Sequence, residues 1–127
     1  TLGKVIAIWG NAIIATSVSS PVLNSWSHVA FTRSGSAGNW TCVIYINGVA
    51  DKTLTGITTN QSSTSTDSIT GVGRTGNVAT QYFPGQIAYP SVANAVWTAA
   101  DMANLYQAGL TLRNKKSYIP FLTGGQS

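Results

Sequence analysis

Glutamate is missing from this chain, and aspartate occurs only at Asp51, Asp67 and Asp101. Chemistry that needs two carboxylates held a few ångströms apart, as glycoside hydrolysis does, has almost nothing to draw on. There is one cysteine, Cys42, so no internal disulfide can form. There is one histidine, His28, with no His or Cys partner at ligand spacing, which leaves zinc without a ligand set. Cys42 lies in an alternating apolar run and reads as a small buried hydrophobe. A thiol nucleophile would need a base such as His28 beside it, and neither residue sits in a catalytic context. No catalytic residue is assigned. No run of about 18 apolar residues occurs, so no transmembrane helix is expected. The chain starts at Thr1 without an initiator methionine. Its short apolar run at 5–9 lacks the plan of a signal peptide. A processed product or a fragment of something longer is expected.

Charge is scarce as well. Only 8% of residues are charged, against about 25% in an average domain. The net charge of +4 reflects a shortage of acids, not a basic stripe. Lys4, Arg33, Lys52, Arg74 and Arg113 are scattered, and only 113–116 clusters. Nucleic-acid binding wants clustered cations interleaved with aromatics, so neither nucleic acid nor membrane is expected as a partner. Solubility must come from Ser, Thr, Asn and Gln, as in many extracellular β-proteins and subunits of large assemblies. With 43% hydrophobic residues the chain is not of the disordered class. Its 127 residues fit one domain.

What is present is β-prone sequence punctuated by turns. Runs 5–9 and 12–18, separated by Gly10-Asn11, read as a tight hairpin. Residues 26–33 and 40–46, joined by a polar loop at 34–39, read as a second. Asn47-Gly48 then turns the chain into a strand at 49–54. Residues 55–70 read as a polar excursion with a strand near 68–72. The glycines at 71, 73 and 76 lack the phosphate-loop pattern and read as strand irregularities. A further strand is expected over 81–92. The one helix begins at Thr98, with Asp101 completing an approximate capping box, and stops at Gly109. The pattern predicts an all-β antiparallel sandwich with one short helix near its C-terminal end. The domain is expected over 1–112, followed by an irregular tail over 113–127.

Three segments in order resemble one family. They are Trp26-x-His28-Val29-Ala30-Phe31-x-Arg33 with Tyr45-Ile46-Asn47-Gly48, then Gly71-x-Gly73 with Tyr82-Phe83-x-Gly85-Gln86-Ile87-Ala88, and finally Val96–Gly109 with its Leu105-Tyr106-x-x-Gly109 ending. Together they resemble the concanavalin A-like lectin/glucanase superfamily, in particular its laminin-G-like and pentraxin-like jelly-roll branch. The resemblance covers roughly 5–109 and implies a jelly-roll sandwich. It also implies strands ahead of Val5 that this chain lacks, so an open strand edge covered by neighbours is expected. The hydrolytic members' paired glutamates have no counterpart here. No cofactor is expected. The alternative is calcium, the usual cofactor of this family, with Asp51 and Asp67 as its candidate ligands and backbone or amide oxygens, for example of Asn47, Asn60 or Gln61, completing the shell.

Two functions follow as expectations. The first is a non-catalytic structural or interaction module of a larger extracellular or virion assembly (a phage capsid, tail or fibre), its partners being neighbouring subunits or domains. In that reading the apolar tail residues Tyr118, Ile119, Phe121 and Leu122 contact the partner. The second is a lectin-like module for surface glycans, with Trp9 and Asn11, Asn39 and Trp40, and Tyr82 as aromatic platforms flanked by amides. Trp26 and Trp97 are expected in the core. Asn39-Trp40-Thr41 and Asn60-Gln61-Ser62 are glycosylation sequons, meaningful only in a eukaryotic secretory route.

Overall fold

The computed structural model describes residues 3–9, 12–59 and 83–117. These fall into two compact units, Thr1–Asn60 with Val96–Ser127, and Gln61–Ala95. Among the described residues the first unit carries all the regular structure: strands β1 (Ile6–Trp9), β2 (Ala12–Thr16), β3 (Val29–Ser36), β4 (Asn39–Ile46) and β5 (Val49–Ile57), then helix α1 (Ala99–Ser117). The strands form two antiparallel sheets, β1-β2 and β3-β4-β5. The sandwich expected from the strand pattern is therefore present.

The core lies between the sheets. Cys42 and Ile44 on the central strand β4 are fully buried against Ala7, Ile14 and Ala15 of the smaller sheet and Ile57 of β5. Two irregularities make this possible. In β1-β2 the register shifts between Ala7↔Ala15 and Ile8↔Ile13, leaving Ile14 as an extra residue. A strict alternation would send either Ile14 or Ala15 outward; the bulge lets both face in. In β4-β5 the step from Cys42↔Leu54 to Trp40↔Ile57 adds a residue at Gly56, whose φ is +68°. Glycine takes this left-handed conformation without steric cost, and the shift turns Ile57 into the core.

The Asn47-Gly48 turn forms as expected, with φ of 52° and 78° at the two positions. This is the paired positive-φ geometry that suits the twist of a hairpin. The preceding hairpin differs from expectation. Strand β3 starts three residues later than the apolar pattern suggests and runs on through Gly35 to Ser36, leaving only Ala37 and Gly38 in the turn. Small and polar residues at 34–36 carry no outward strand signal, yet all pair with β4 in unbroken register.

Helix α1 begins as predicted. The Thr98 amide and hydroxyl donate to the Asp101 carboxylate at 2.7 Å each, and the Asp101 amide donates back to Thr98 Oγ1 at 3.2 Å. This is a capping box in which aspartate replaces the usual glutamate. The helix then passes through Gly109 and continues to Ser117. Gly109 does not adopt the left-handed conformation of a helix stop. Leu110, Leu112 and Arg113 are good helix formers that carry the helix onward. Residues 113–117, expected in an irregular tail, are therefore helical. Met102 is buried, and Leu105, Tyr106, Gly109 and Leu110 extend its stripe. The helix packs on the β4–β5 turn, where Gly48 faces Met102, Ala103 and Tyr106.

In the second unit the described residues 83–95 form no strand, although 81–92 was read as one. Pro84 and Pro90 remove ladder donors, and Tyr89 takes a φ of 53°. The expected strand at 68–72, the glycine segment 71–77, the turn at Gly10-Asn11 and the tail residues 118–127 lie outside the described residues.

Gly48 and Gly38 give a matched test of helix docking. Both have left-handed φ, +78° and +81°. A Cβ at Gly38 meets nothing, whereas one at Gly48 lies 3.0 Å from both Ala103 Cα and Tyr106 Cβ. Gly38→Ala should therefore cost about 1–2 kcal/mol of backbone strain. Gly48→Ala should cost about 3 kcal/mol because the helix must also shift. Chemical denaturation of the two variants side by side checks the difference.

Candidate functional site

The most structured polar feature of the first unit is built from three strands. Arg33 of β3 points to the inner face of its sheet, opposite Cys42. Its guanidinium carbon lies 3.6 Å from the Trp40 ring centroid and 4.2 Å from that of Trp9. The cation is thus held between two indoles, one from each sheet. Trp40 sits opposite Gly35 on β3, which has no side chain to compete for the space beside Arg33. A Cβ at Gly35 would also strike the Asn39 carbonyl oxygen at 2.4 Å. Such stacking is worth about 0.5–2 kcal/mol, depending on how well water is excluded. Both indoles are half-buried and pack against the core.

The sequence singled out Trp9 and Trp40 separately, as sugar platforms. The structure brings them together, with Arg33 between them occupying one face of each. Asn39 begins β4 at the exposed end of the hairpin, next to this stack. Asn11 and Tyr82 lie outside the described residues. Arg33 was not identified as a site residue. Its signal in the sequence is weak, since the two tryptophans that hold it are 24 residues before and seven residues after it.

Asp51 has a different role from a free ligand. It is the extra residue of a second bulge in β5, between Tyr45↔Ala50 and Ile44↔Lys52. The bulge turns its carboxylate toward the end of β2, where it accepts from the Val18 amide at 2.6 Å and the Ser19 amide at 2.9 Å. Lys4 Nζ donates to the Val18 carbonyl beside it. The Ser19 side chain, the two amides and the Lys4 ammonium hold the Asp51 carboxyl below the usual carboxylate range. To ligate calcium, Asp51 would have to exchange these donors for the ion. Its proposed companion Asp67 lies outside the described residues. Among the described residues no three His, Cys, Asp or Glu side chains gather in one place.

His28 and Cys42 are not neighbours. His28 lies just before β3, opposite Asn47, so the ladder separates the two by about 16 Å. The His28 amide donates to Asn47 Oδ1 at 2.9 Å and its carbonyl accepts from the Asn47 amide at 2.8 Å. Its ring faces Tyr106 of α1. Burial lowers its pKa, and its Nδ1 has no partner among the described residues. Burial pushes the Cys42 thiol up, with Arg33 opposing. Cys42 is a sheet residue, as its context suggested, whereas His28, read as part of a strand, sits just before β3.

Two tryptophans leave the core to smaller residues. Trp26 precedes β3 instead of beginning it and is 47% exposed. Trp97 is half-buried, lining an open groove along α1 with Asp101, Asn104, Leu105 and Ala108. The partner-contact candidates Tyr118, Ile119, Phe121 and Leu122 lie outside the described residues.

Acid should act on this architecture in two stages. His28 is held neutral by burial, so the unfolded chain binds its proton first. Its contribution is complete above about pH 6.5 and is lost as pH falls from there through the lowered folded value. Asp51 and Asp101 are also depressed. Their contributions are present above the unfolded value near 4 and are lost as pH falls further. Denaturation midpoints between pH 8 and pH 3 should fall in these two windows. His28→Gln should remove the upper loss and Asp51→Asn should flatten the lower one.

A family model described as the concanavalin A-like lectin/glucanases superfamily, of laminin G type, matches residues 4–103. A search of curated proteins finds no match. Among solved structures, the chain is similar to the 2.1 Å crystal structure of residues 221–444 of an S-layer domain-containing protein from Clostridium thermocellum ATCC 27405. The identity is 21% and the TM-score 0.56, over 72% of this chain. The chain covers 44% of the length of that structure. At this identity the likeness is one of fold.

Proposed function

This chain belongs to the concanavalin A-like lectin/glucanases superfamily, and on that premise we propose that it is a non-catalytic interaction module of an extracellular or particle-surface assembly. The observation that carries this reading is the β1-β2 sheet, which is apolar on both faces. Its inner face supplies Ala7, Ile14 and Ala15 to the core. Its outer face presents Ile6, with Ile8 and Ile13 directly opposite each other and 58% and 63% exposed. A two-stranded sheet is marginal alone, and alternate isoleucines on its outer face fit a third layer. Among the described residues neither β1 nor β2 pairs with a further strand. Nor does either carry the charge or proline that blunts a free edge. The occupant that matches is an apolar strand or sheet face of a neighbouring domain or subunit, joined by edge pairing and isoleucine packing.

A surface location is supported by the uncharged, Ser/Thr-rich composition and by the fold shared with the S-layer domain-containing structure. A cell-surface layer and a virion both supply neighbouring subunits of the required kind. Glycan recognition through Trp9, Asn39 and Trp40 draws less support. Each indole gives a face to Arg33 and packs on the core, leaving no pair of open platforms. The absence of glutamate supports a non-catalytic role.

The isolated chain should self-associate as its concentration rises, because the isoleucine face is exposed. Sedimentation of the wild type against Ile8→Lys/Ile13→Lys tests this. Dissociation of the variant with an unchanged far-UV spectrum is expected. A wild type that stays monomeric at hundreds of micromolar would remove the support for an interaction face.

A further inference from the structure

We infer that the Trp9–Arg33–Trp40 stack is a recognition site for a carboxylate, supplied by an aspartate or glutamate side chain of the protein neighbour. This deepens the interaction reading above and rests on it. The guanidinium carbon lies 4.2 Å and 3.6 Å from the two indole centroids. Rings this close stack on the cation and leave its N–H edges for a ligand. A guanidinium presents five such donors in a fixed fork that matches the two oxygens of a carboxylate. No described residue accepts a hydrogen bond from it or forms an ion pair with it; it stacks on the two rings and acts electrostatically on the Cys42 thiol.

Of the chain's three acids, Asp51 is held by the Val18 and Ser19 amides, Asp101 by the cap of α1, and Asp67 lies outside the described residues. A half-buried cation without an in-plane acceptor is a costly arrangement unless water or a ligand completes it. The stack also stands beside an exposed approach, since Gly35, Ser36 and Asn39 at the end of the β3–β4 hairpin are open to solvent. The chemistry selects among anions. Indoles on both faces exclude a ligand that must wrap the cation and favour a planar, in-plane one, which fits carboxylate. They also favour a side chain over a sugar acid, because a sugar ring would need an aromatic face and the inner faces are taken.

The test follows the Arg33 Nε–H and the tryptophan Nε1–H signals by NMR while the full chain is titrated at fixed ionic strength. The probes are an acetylated, amidated Ala-Glu-Asp-Ala peptide, its Gln-Asn counterpart and methyl glucuronide. The acidic peptide should shift the Arg33 signal saturably in the millimolar range, and the amide peptide should not. Arg33→Lys keeps the charge but loses the fork, and should weaken binding about tenfold as read from the tryptophan signals. No saturable shift with the acidic peptide, or equal shifts with the amide peptide, would overturn the proposal. Tighter binding of the glucuronide than of the peptide would overturn the assignment to a protein side chain. Self-association that persists in Arg33→Lys and is lost in Ile8→Lys/Ile13→Lys would leave the interaction reading intact even if this site fails.

Discussion

The packing of Ile14 and Ala15 against Cys42 and Ile44 is the contact on which everything else rests. Among the described residues the smaller sheet has two strands, marginal alone, and the larger three. Each gains its order by covering the other. That coverage requires two consecutive residues of β2 to face inward, which a regular strand forbids. The bulge at Ile14 relieves the conflict, and its consequence spreads outward. It leaves Ile8 and Ile13 paired on the opposite face, so the same irregularity that builds the core also creates the apolar exterior.

The second constraint is the scarcity of acid. With no glutamate and three aspartates, each carboxylate has a large share in what the chain can do. Asp101 starts the helix that docks on Gly48. Asp51, set free of the ladder by a bulge, closes the end of the smaller sheet onto β5 through two amides. Both accept hydrogen bonds from backbone N–H groups. Arginine and lysine are thereby left to other partners: indole faces for Arg33 and a carbonyl oxygen for Lys4.

Local signals in the sequence were read well where the structure obeys local rules. The Asn47-Gly48 turn, the Thr98–Asp101 cap and the alternation of β4 are decided by residues within a few positions of one another, and all three are found. The errors arise where distant residues decide. The start of β3 follows its pairing with β4, so Val29 begins the strand even though Trp26 looked like part of it. Gly109 resembles a helix stop, but its backbone stays helical because the residues after it favour helix. The run from Phe83 to Val92 has strand-like residues, yet two prolines deny it ladder donors. Trp26 and Trp97 were read as core on their size alone, while small and β-branched residues fill the space between the sheets. The candidate site was half legible. Trp9 and Trp40 stood out as aromatics at strand ends; their meeting across Arg33 depends on the stacking of two sheets, which no spacing rule encodes.

The stack and the isoleucine face are different solutions to one problem. A small sandwich with few charges must end somewhere, and its boundary must be either dry or satisfied. On β1-β2 the boundary is dry: Ile6, Ile8 and Ile13 offer area and no direction. At the open end of the β3–β4 hairpin it is polar but incomplete: Arg33 offers direction and little area. An interface that used only the first would hold partners without fixing their orientation, and one that used only the second would be weak and sensitive to salt. Apolar area for adhesion, joined to a rigidly held fork for register, is the combination by which ordered assemblies achieve both affinity and a defined geometry.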